Sequence, residues 1–294
     1  MKSGFVSIVG RPNVGKSTLL NNIMNKKLAI ISNKPGTTRN NIDGIYNDLD
    51  TQIIFIDTPG IHKPKQHLGK VLNSQAYYSI EDADVILFLV DVSEKLGKGD
   101  LFVINKLKSI DKPVILILNK IDKISKEEIL IKIDEYKDLY PFCEIIPLSA
   151  LKEDNLNILI NNIKKYLTDE IKYYDNNITT NNTKEFMITE LIREKILELT
   201  SEEVPHSVTC ILENIEEKET IVNINACIIV DRDSLKKIII GKKGSMIKEI
   251  GSKARIDIEE LYKKQVFLEL FVKTIPNWRD KDKLLLEFGI KNTE

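Results

Sequence analysis

Gly10-Arg11-Pro12-Asn13-Val14-Gly15-Lys16-Ser17 places a second glycine five residues after the first, with lysine and serine directly behind it. Glycines at this spacing let backbone N–H groups turn inward around phosphate, at the positive end of a following helix. The pattern carries weight only between a strand and a helix. An apolar run at 5–9 and a helical pattern at 16–24 supply that context. Lys16 is then expected to neutralise β- and γ-phosphates and Ser17 to ligate Mg²⁺, with Gly10 to Thr18 forming the phosphate-contacting stretch.

Three shorter motifs follow, each closing an apolar run. Asp57-Thr58-Pro59-Gly60 follows 53–56, placing a carboxylate beside the expected metal and a Gly60 N–H near the γ-phosphate. Asn119-Lys120-Ile121-Asp122 follows 114–118. Its Asp122 can accept from guanine N1–H and the exocyclic amine, a donor pair that adenine lacks. Lys120 would pack its stem on the base, and Asn119 would tie this loop to the phosphate loop. Ser149-Ala150-Leu151 follows 144–148 and offers the Ala150 N–H to guanine O6. Together the four motifs predict a GTP/GDP site. The residue after Gly60 is Ile61, where many GTPases keep a water-orienting glutamine, so slow intrinsic hydrolysis or another device is expected.

The elements that must hold these loops alternate. Strand-length runs at 5–9, 53–56, 85–90, 114–118 and 144–148 are separated by helical patterns at 16–24, 69–81, 100–109, 126–139 and 155–167. This alternation predicts an α/β domain over 1–170 with a mostly parallel sheet buried on both faces. Residues 171–185 are polar and lack apolar periodicity, and read as a flexible linker. Beyond it, over 186–294, the order helix, two strands, two helices, strand predicts a different, α+β domain with its own core. Within it Gly241-Lys242-Lys243-Gly244 forms a GxxG loop between two helices. Glycines let such a loop approach a nucleic-acid backbone, and lysines meet its phosphates. Residues 232–255 hold eight lysines and arginines against Asp233 and Glu249, so positive charge is concentrated here. Lys248 belongs to the same patch.

The bulk numbers agree with two soluble domains. The chain has 294 residues, 42% hydrophobic and 30% charged, with a formal net charge of -1, so a nucleic-acid site must be local rather than global. Cys143, Cys210 and Cys227 lack metal-type spacing and read as buried thiols in a reducing cytosol. No signal-like or membrane-spanning run stands out.

The motif set GRPNVGKS, Pro35-Gly36-Thr37-Thr38-Arg39, DTPG, NKID and SAL, with the GKKG block, Ala254-Arg255 and the terminal FLELFVK, resembles the Era family of ribosome-assembly GTPases across nearly the whole chain. The resemblance implies a P-loop GTPase domain followed by a type II KH domain. It also implies Mg²⁺ held by Ser17, Asp57 and Thr38, with Thr37 the alternative to Thr38. By the same resemblance Asn13 matches an asparagine that lets related GTPases use K⁺, the other reading being a residue chosen for turn geometry. The expected partners are small-subunit ribosomal RNA near its 3′ end and the 30S subunit. The expected protein is a cytoplasmic monomer, with peripheral membrane attachment known in the family. Catalysis would rest on Lys16, Thr38, Gly60 and Asn13. RNA contact would rest on Gly241, Lys242, Lys243, Gly244 and Lys248. Arg39 reads as a solvated loop arginine, and His62 and His67 as surface residues. The competing reading is an RNA-binding module or chaperone that uses GTP as a structural ligand.

Overall fold

A computed structural model of the protein describes residues 1–64 and 66–290; residues 65 and 291–294, the last four of the expected second domain, lie outside the described residues. The amino-terminal half runs β1 (Lys2–Gly10), α1 (Lys16–Met24), β2 (Ile42–Asn47), β3 (Thr51–Asp57), α2 (His67–Asp82), β4 (Val85–Asp91), α3 (Lys98–Leu107), β5 (Val114–Asn119), α4 (Lys126–Lys137), β6 (Glu144–Leu148) and α5 (Leu156–Ile163). The strands form one six-stranded sheet ordered β2-β3-β1-β4-β5-β6. β1, β3, β4, β5 and β6 pair in parallel, and the βα connections place helices over both faces. All seven residues of β4 are buried, and the first six alternate between the cores on the two faces. The phosphate-loop, DxxG, NKxD and SAL motifs therefore gather at the carboxyl ends of β1, β3, β5 and β6, where open α/β sheets bind ligands.

Sequence periodicity did not reveal β2, which pairs antiparallel with β3 at the edge of the sheet. It is six residues long and interrupted by Gly44, so its alternation is weak. The stretch expected to be a flexible linker lies along this edge. Gln52, fully buried, accepts from the backbone N–H groups of Tyr173 at 2.8 Å and Tyr174 at 2.9 Å, and donates to Tyr174 O at 2.8 Å. Farther on, Ile45 N donates to Thr179 O at 2.9 Å. The segment lacks apolar periodicity because backbone hydrogen bonds hold it, and they also cover an exposed sheet edge.

The second half runs α6 (Lys184–Leu199), α7 (Val204–Ser207), β7 (Val208–Glu217), β8 (Ile221–Val230), α8 (Asp233–Ile240), α9 (Ser245–Tyr262), β9 (Gln265–Thr274) and α10 (Asp282–Glu287). β7 and β8 are antiparallel, and β9 returns parallel to β8 after the α8–α9 crossover. Helices α6, α8 and α9 bury their apolar stripes against one face of this sheet. Strand β7 begins at Val208, directly after the short helix α7, which carries Pro205 in its first turn.

The expectation of wholly separate cores does not hold. Leu68, Val71 and Leu72 of α2 pack in one cluster with Cys227 and Ile229 of β8, Trp278, and the terminal Leu285, Phe288 and Ile290. Trp278 is fully buried, donates Nε1–H to Ser207 O at 3.3 Å, and lies edge-on to Phe288 at 5.8 Å between centroids. Trp278→Ala should cost about 3–5 kcal/mol, read as a loss in denaturant-unfolding free energy for the carboxy-terminal half. A loss below about 1 kcal/mol would contradict Trp278 as the centre of this shared cluster.

Candidate nucleotide site and nucleic-acid interface

Four loops converge on one pocket, lined by Pro12, Asn13, Gly15, Lys16, Ser17, Thr18, Gly60, Asn119, Lys120, Asp122, Ala150 and Leu151 from the expected motifs. Residues 30–33 and 36–38 close its other side. The pocket walls are knitted together. Asn119 donates Nδ2–H to Val14 O at 2.7 Å and accepts from Ala150 N at 2.9 Å, so one amide joins three of the loops. Lys120 Nζ bonds Asn13 O at 2.9 Å and Asp91 at 2.5 Å. Ser149 donates its hydroxyl proton to Asp122 Oδ1 at 2.5 Å, orienting the carboxylate expected to read guanine. The Ala150 N–H, expected at guanine O6, is directed to Asn119 instead.

The phosphate end is a buried, charged pocket. Lys16 is 6% exposed, and its Nζ donates to Gly10 O at 3.3 Å and Arg11 O at 3.0 Å. Burial pulls its ammonium down to about 8, against the opposing charge of Asp57. Burial likewise pushes the Asp57 carboxyl up to about 6, with Lys16 working the other way. Each charge is held in low dielectric with one partner, a costly arrangement that a bound anion and cation would relieve. Asp57 Oδ2 accepts from Ser17 Oγ at 2.6 Å, and Ser17 Oγ lies 3.1 Å from Thr38 Oγ1. Asp57 Oδ1 is buried without a hydrogen-bond partner. An all-oxygen set with one orphaned carboxylate oxygen fits Mg²⁺. Thr37 turns away, its hydroxyl donating to Lys34 O at 2.6 Å.

Several expected residues are elsewhere. The Arg11 side chain leaves the pocket for Asp100 at 2.6 Å and Glu94 at 3.0 Å. Val14 is in the core, and Thr58 donates to Ile8 O at 2.8 Å beneath the loop, beside Pro59 and outside the pocket lining. Ile61 is fully buried in the core under α2 and presents no polar group to the nucleotide. The solvated-arginine reading of Arg39 is overturned. It is 4% exposed, donates to Val208 O at 2.6 Å and Pro205 O at 3.1 Å, and lies over the Trp278 ring at 5.7 Å. Burial, followed by the nearby Arg193 charge, pulls its guanidinium down to about 9. The His62 ring lies 3.1 Å from the Lys63 carbonyl while its backbone N–H and C=O pair with the Asn73 side chain, and His67 contacts Asp282 at 2.6 Å near the surface.

In the second half, Lys242, Lys243 and Lys248 are exposed, and Gly241 and Gly244 flank the turn with φ of 73° and 79°. A Cβ on Gly241 would lie 2.7 Å from the Met246 backbone nitrogen, so the turn requires glycine there. A groove continues from this loop, walled by Ile247, Lys248, Gly251, Ser252 and Arg255 on α9 and by 266–270 on β9. The residues expected to contact RNA ended at Lys248, although the basic patch read from the sequence reached Arg255. The signal for the rest was the spacing of 247, 251 and 255 along one helix face, with small residues at 251 and 252.

Gly15 has φ of 103°, and a Cβ there would lie 2.3 Å from Asn119 Nδ2. Gly15→Ala should therefore displace Asn119 and weaken GDP binding at least tenfold, measured by titration. Retained affinity would mean that the Asn119 bridge is dispensable.

The chain is similar to known proteins along both halves. A family profile described as "50S ribosome-binding GTPase" matches residues 5–120, and a KH domain profile matches 203–279. Era in complex with MgGDPNP and nucleotides 1506–1542 of 16S ribosomal RNA is 44% identical, with 99% of each chain covered and a TM-score of 0.96. A variant of Aquifex aeolicus Era bound to GDP·AlF4⁻ is also 44% identical over 99% of each chain, with a TM-score of 0.95. A parallel-sheeted P-loop domain with a guanine-type pocket, joined to a KH domain and alike over its whole length, places this chain in the Era family of GTPases.

Proposed function

We propose that the protein is a GTP-hydrolysing switch that binds small-subunit ribosomal RNA near its 3′ end and assists 30S maturation. The observation that carries this reading is the exposed GKKG loop opening onto the α9–β9 groove, in a chain alike end to end to an Era seen with 16S RNA. In this reading Lys16 and the Gly10–Thr18 backbone hold the phosphates, and Asp122, oriented by Ser149, reads guanine. Ser17, Asp57 and Thr38 hold Mg²⁺, which would neutralise charge on the β- and γ-phosphates. Thr38 is favoured over Thr37 because it reaches Ser17. Gly60 offers its N–H to the γ-phosphate. Residues 1–170 act as the G domain and 186–294 as the RNA-binding domain. Among the described residues no helix is long and apolar enough to cross a membrane, and the three cysteines are unpaired, which fits a cytoplasmic setting.

Replacing Lys242 and Lys243 together by Asp turns two phosphate attractions into repulsions. RNA affinity should fall by at least tenfold in 0.1 M salt with a shallower salt dependence, while GDP affinity stays unchanged. RNA binding equal to wild type would remove the GKKG loop from the reading.

Slow intrinsic hydrolysis follows from the buried Ile61, which leaves no side chain there to orient water. Asn13 suits a monovalent cation. It donates Nδ2–H to Asn33 O at 2.8 Å, so Oδ1 is the atom of this amide that could face a cation, while its φ of 66° equally fits a residue chosen for turn geometry. A cation there would offset charge developing between β- and γ-phosphates as an arginine finger does. Single-turnover hydrolysis should be faster in K⁺ than in Na⁺, and Asn13→Ala should abolish the difference. Equal rates for the wild type in the two salts would sink the potassium proposal and leave the GTPase assignment intact.

A further inference from the structure

The wall formed by Ile31, Ser32, Asn33, Gly36, Thr37 and Thr38 belongs to a stretch, 25–41, with neither helix nor strand. Its backbone groups must find partners elsewhere. Two come from adjacent residues of the other domain. Glu194 Oε1 accepts from Ile31 N at 3.1 Å where the wall begins, and Arg193 Nη2 donates to Thr37 O, one residue before Thr38. Both side chains are buried, at 2% exposure for Arg193 and 4% for Glu194.

Each is aimed by further groups. Arg193 is held by Glu190 one turn earlier, with Nε 2.8 Å from Glu190 Oε1. Glu194 Oε2 accepts from Lys27 at 2.6 Å and Lys195 at 3.0 Å. The same two lysines reach Asp257 of α9, at 3.0 Å and 2.8 Å. Asp257 is two residues beyond Arg255, on the helix that begins at the GKKG loop.

We propose that Arg193 and Glu194 are positioning residues for GTP: α6 of the KH domain builds the nucleotide-facing wall in cis and so sets Thr38 at the metal side of the pocket. This rests on Thr38 acting at the GTP site, as proposed above. Within this wall Thr38 stands beside Ser17, which bonds Asp57, where the metal and γ-phosphate would lie, so its loss falls on GTP and on turnover. GDP, held by the phosphate loop and the base motifs, is spared. A merely structural contact between domains would weaken both nucleotides alike.

The test compares affinities for GDP and GDPNP, together with kcat and KM for GTP, in the full chain without RNA. The absence of RNA makes the outcome independent of the RNA-binding reading. Truncating Arg193 alone would strand Glu190 in the interior, so the informative variant is Arg193→Met with Glu190→Gln. It should lose at least tenfold in GDPNP affinity and in kcat, with GDP affinity within twofold of wild type. Arg193→Lys, which keeps a donor for Thr37 O, should recover part of the loss. Glu194→Gln, which keeps the acceptor for Ile31 N, should bind GDPNP more tightly than Glu194→Ala. If the double variant fails to fold, the Arg193→Lys and the Glu194 pair decide. Equal losses for GDP and GDPNP, or no loss for either, would overturn the proposal.

Discussion

A chain segment without helix or strand must still satisfy its backbone, and that constraint governs the nucleotide-facing stretch between α1 and β2. Its bonds can be followed in order. Asn21, 7% exposed, accepts from Leu28 N and Ala29 N at 2.9 Å each and donates to Ala29 O at 2.8 Å. Glu194 takes Ile31 N, Asn13 donates to Asn33 O, and Arg193 donates to Thr37 O. The stretch is thus held by its own helix, by the phosphate loop and by α6. A stretch held from three directions changes conformation only if at least one of them gives way.

The reverse dependence is equally direct. Immediately after Thr38, Arg39 lies outside the pocket lining and donates to two carbonyls at the α7–β7 junction. Its buried guanidinium also lies over Trp278, the centre of the apolar cluster shared with α2. A buried arginine that lost these acceptors would be strongly unfavourable. If Thr38 acts at the metal side as proposed, its movement would therefore pull on the docking of the KH domain. Helix α2, which follows the DxxG loop, contributes Leu68, Val71 and Leu72 to the same cluster. The segment after Thr38 and the helix after the DxxG loop thus both end on one interdomain surface, the arrangement that the proposed coupling between two sites would need.

The sequence was most informative where local chemistry alone decides. The phosphate loop, DxxG, NKxD and SAL motifs were legible because glycine geometry, a lysine and a carboxylate at the end of a strand carry their meaning wherever they occur. The GKKG turn was legible for the same reason. Arg39 was not, since an arginine reads as solvated until the partner carbonyls are placed, and those lie 166 and 169 residues away; the Arg193 contact to Thr37 O, 156 residues distant, left no sequence signal at all. Strand β2 escaped because an edge strand with a central glycine shows little alternation. The 171–185 stretch read as flexible because a segment held by its backbone leaves no periodic trace in its side chains. Ala150 was expected at guanine by its place in SAL, and the structure adds a bond from its N–H to Asn119 Oδ1 that the motif alone did not reveal.

The central claim is that nucleotide and RNA sites share one free-energy balance through the stretch between α1 and β2. The most direct measurement is RNA affinity of the full chain with GDP and with GDPNP at one fixed salt concentration. Coupling of about 1–3 kcal/mol predicts tighter binding in the GDPNP form by roughly 5-fold to 150-fold, and by linkage RNA tightens GDPNP over GDP by the same factor. A ratio within error of one would contradict the account, because a ligand with equal affinity for both states shifts neither.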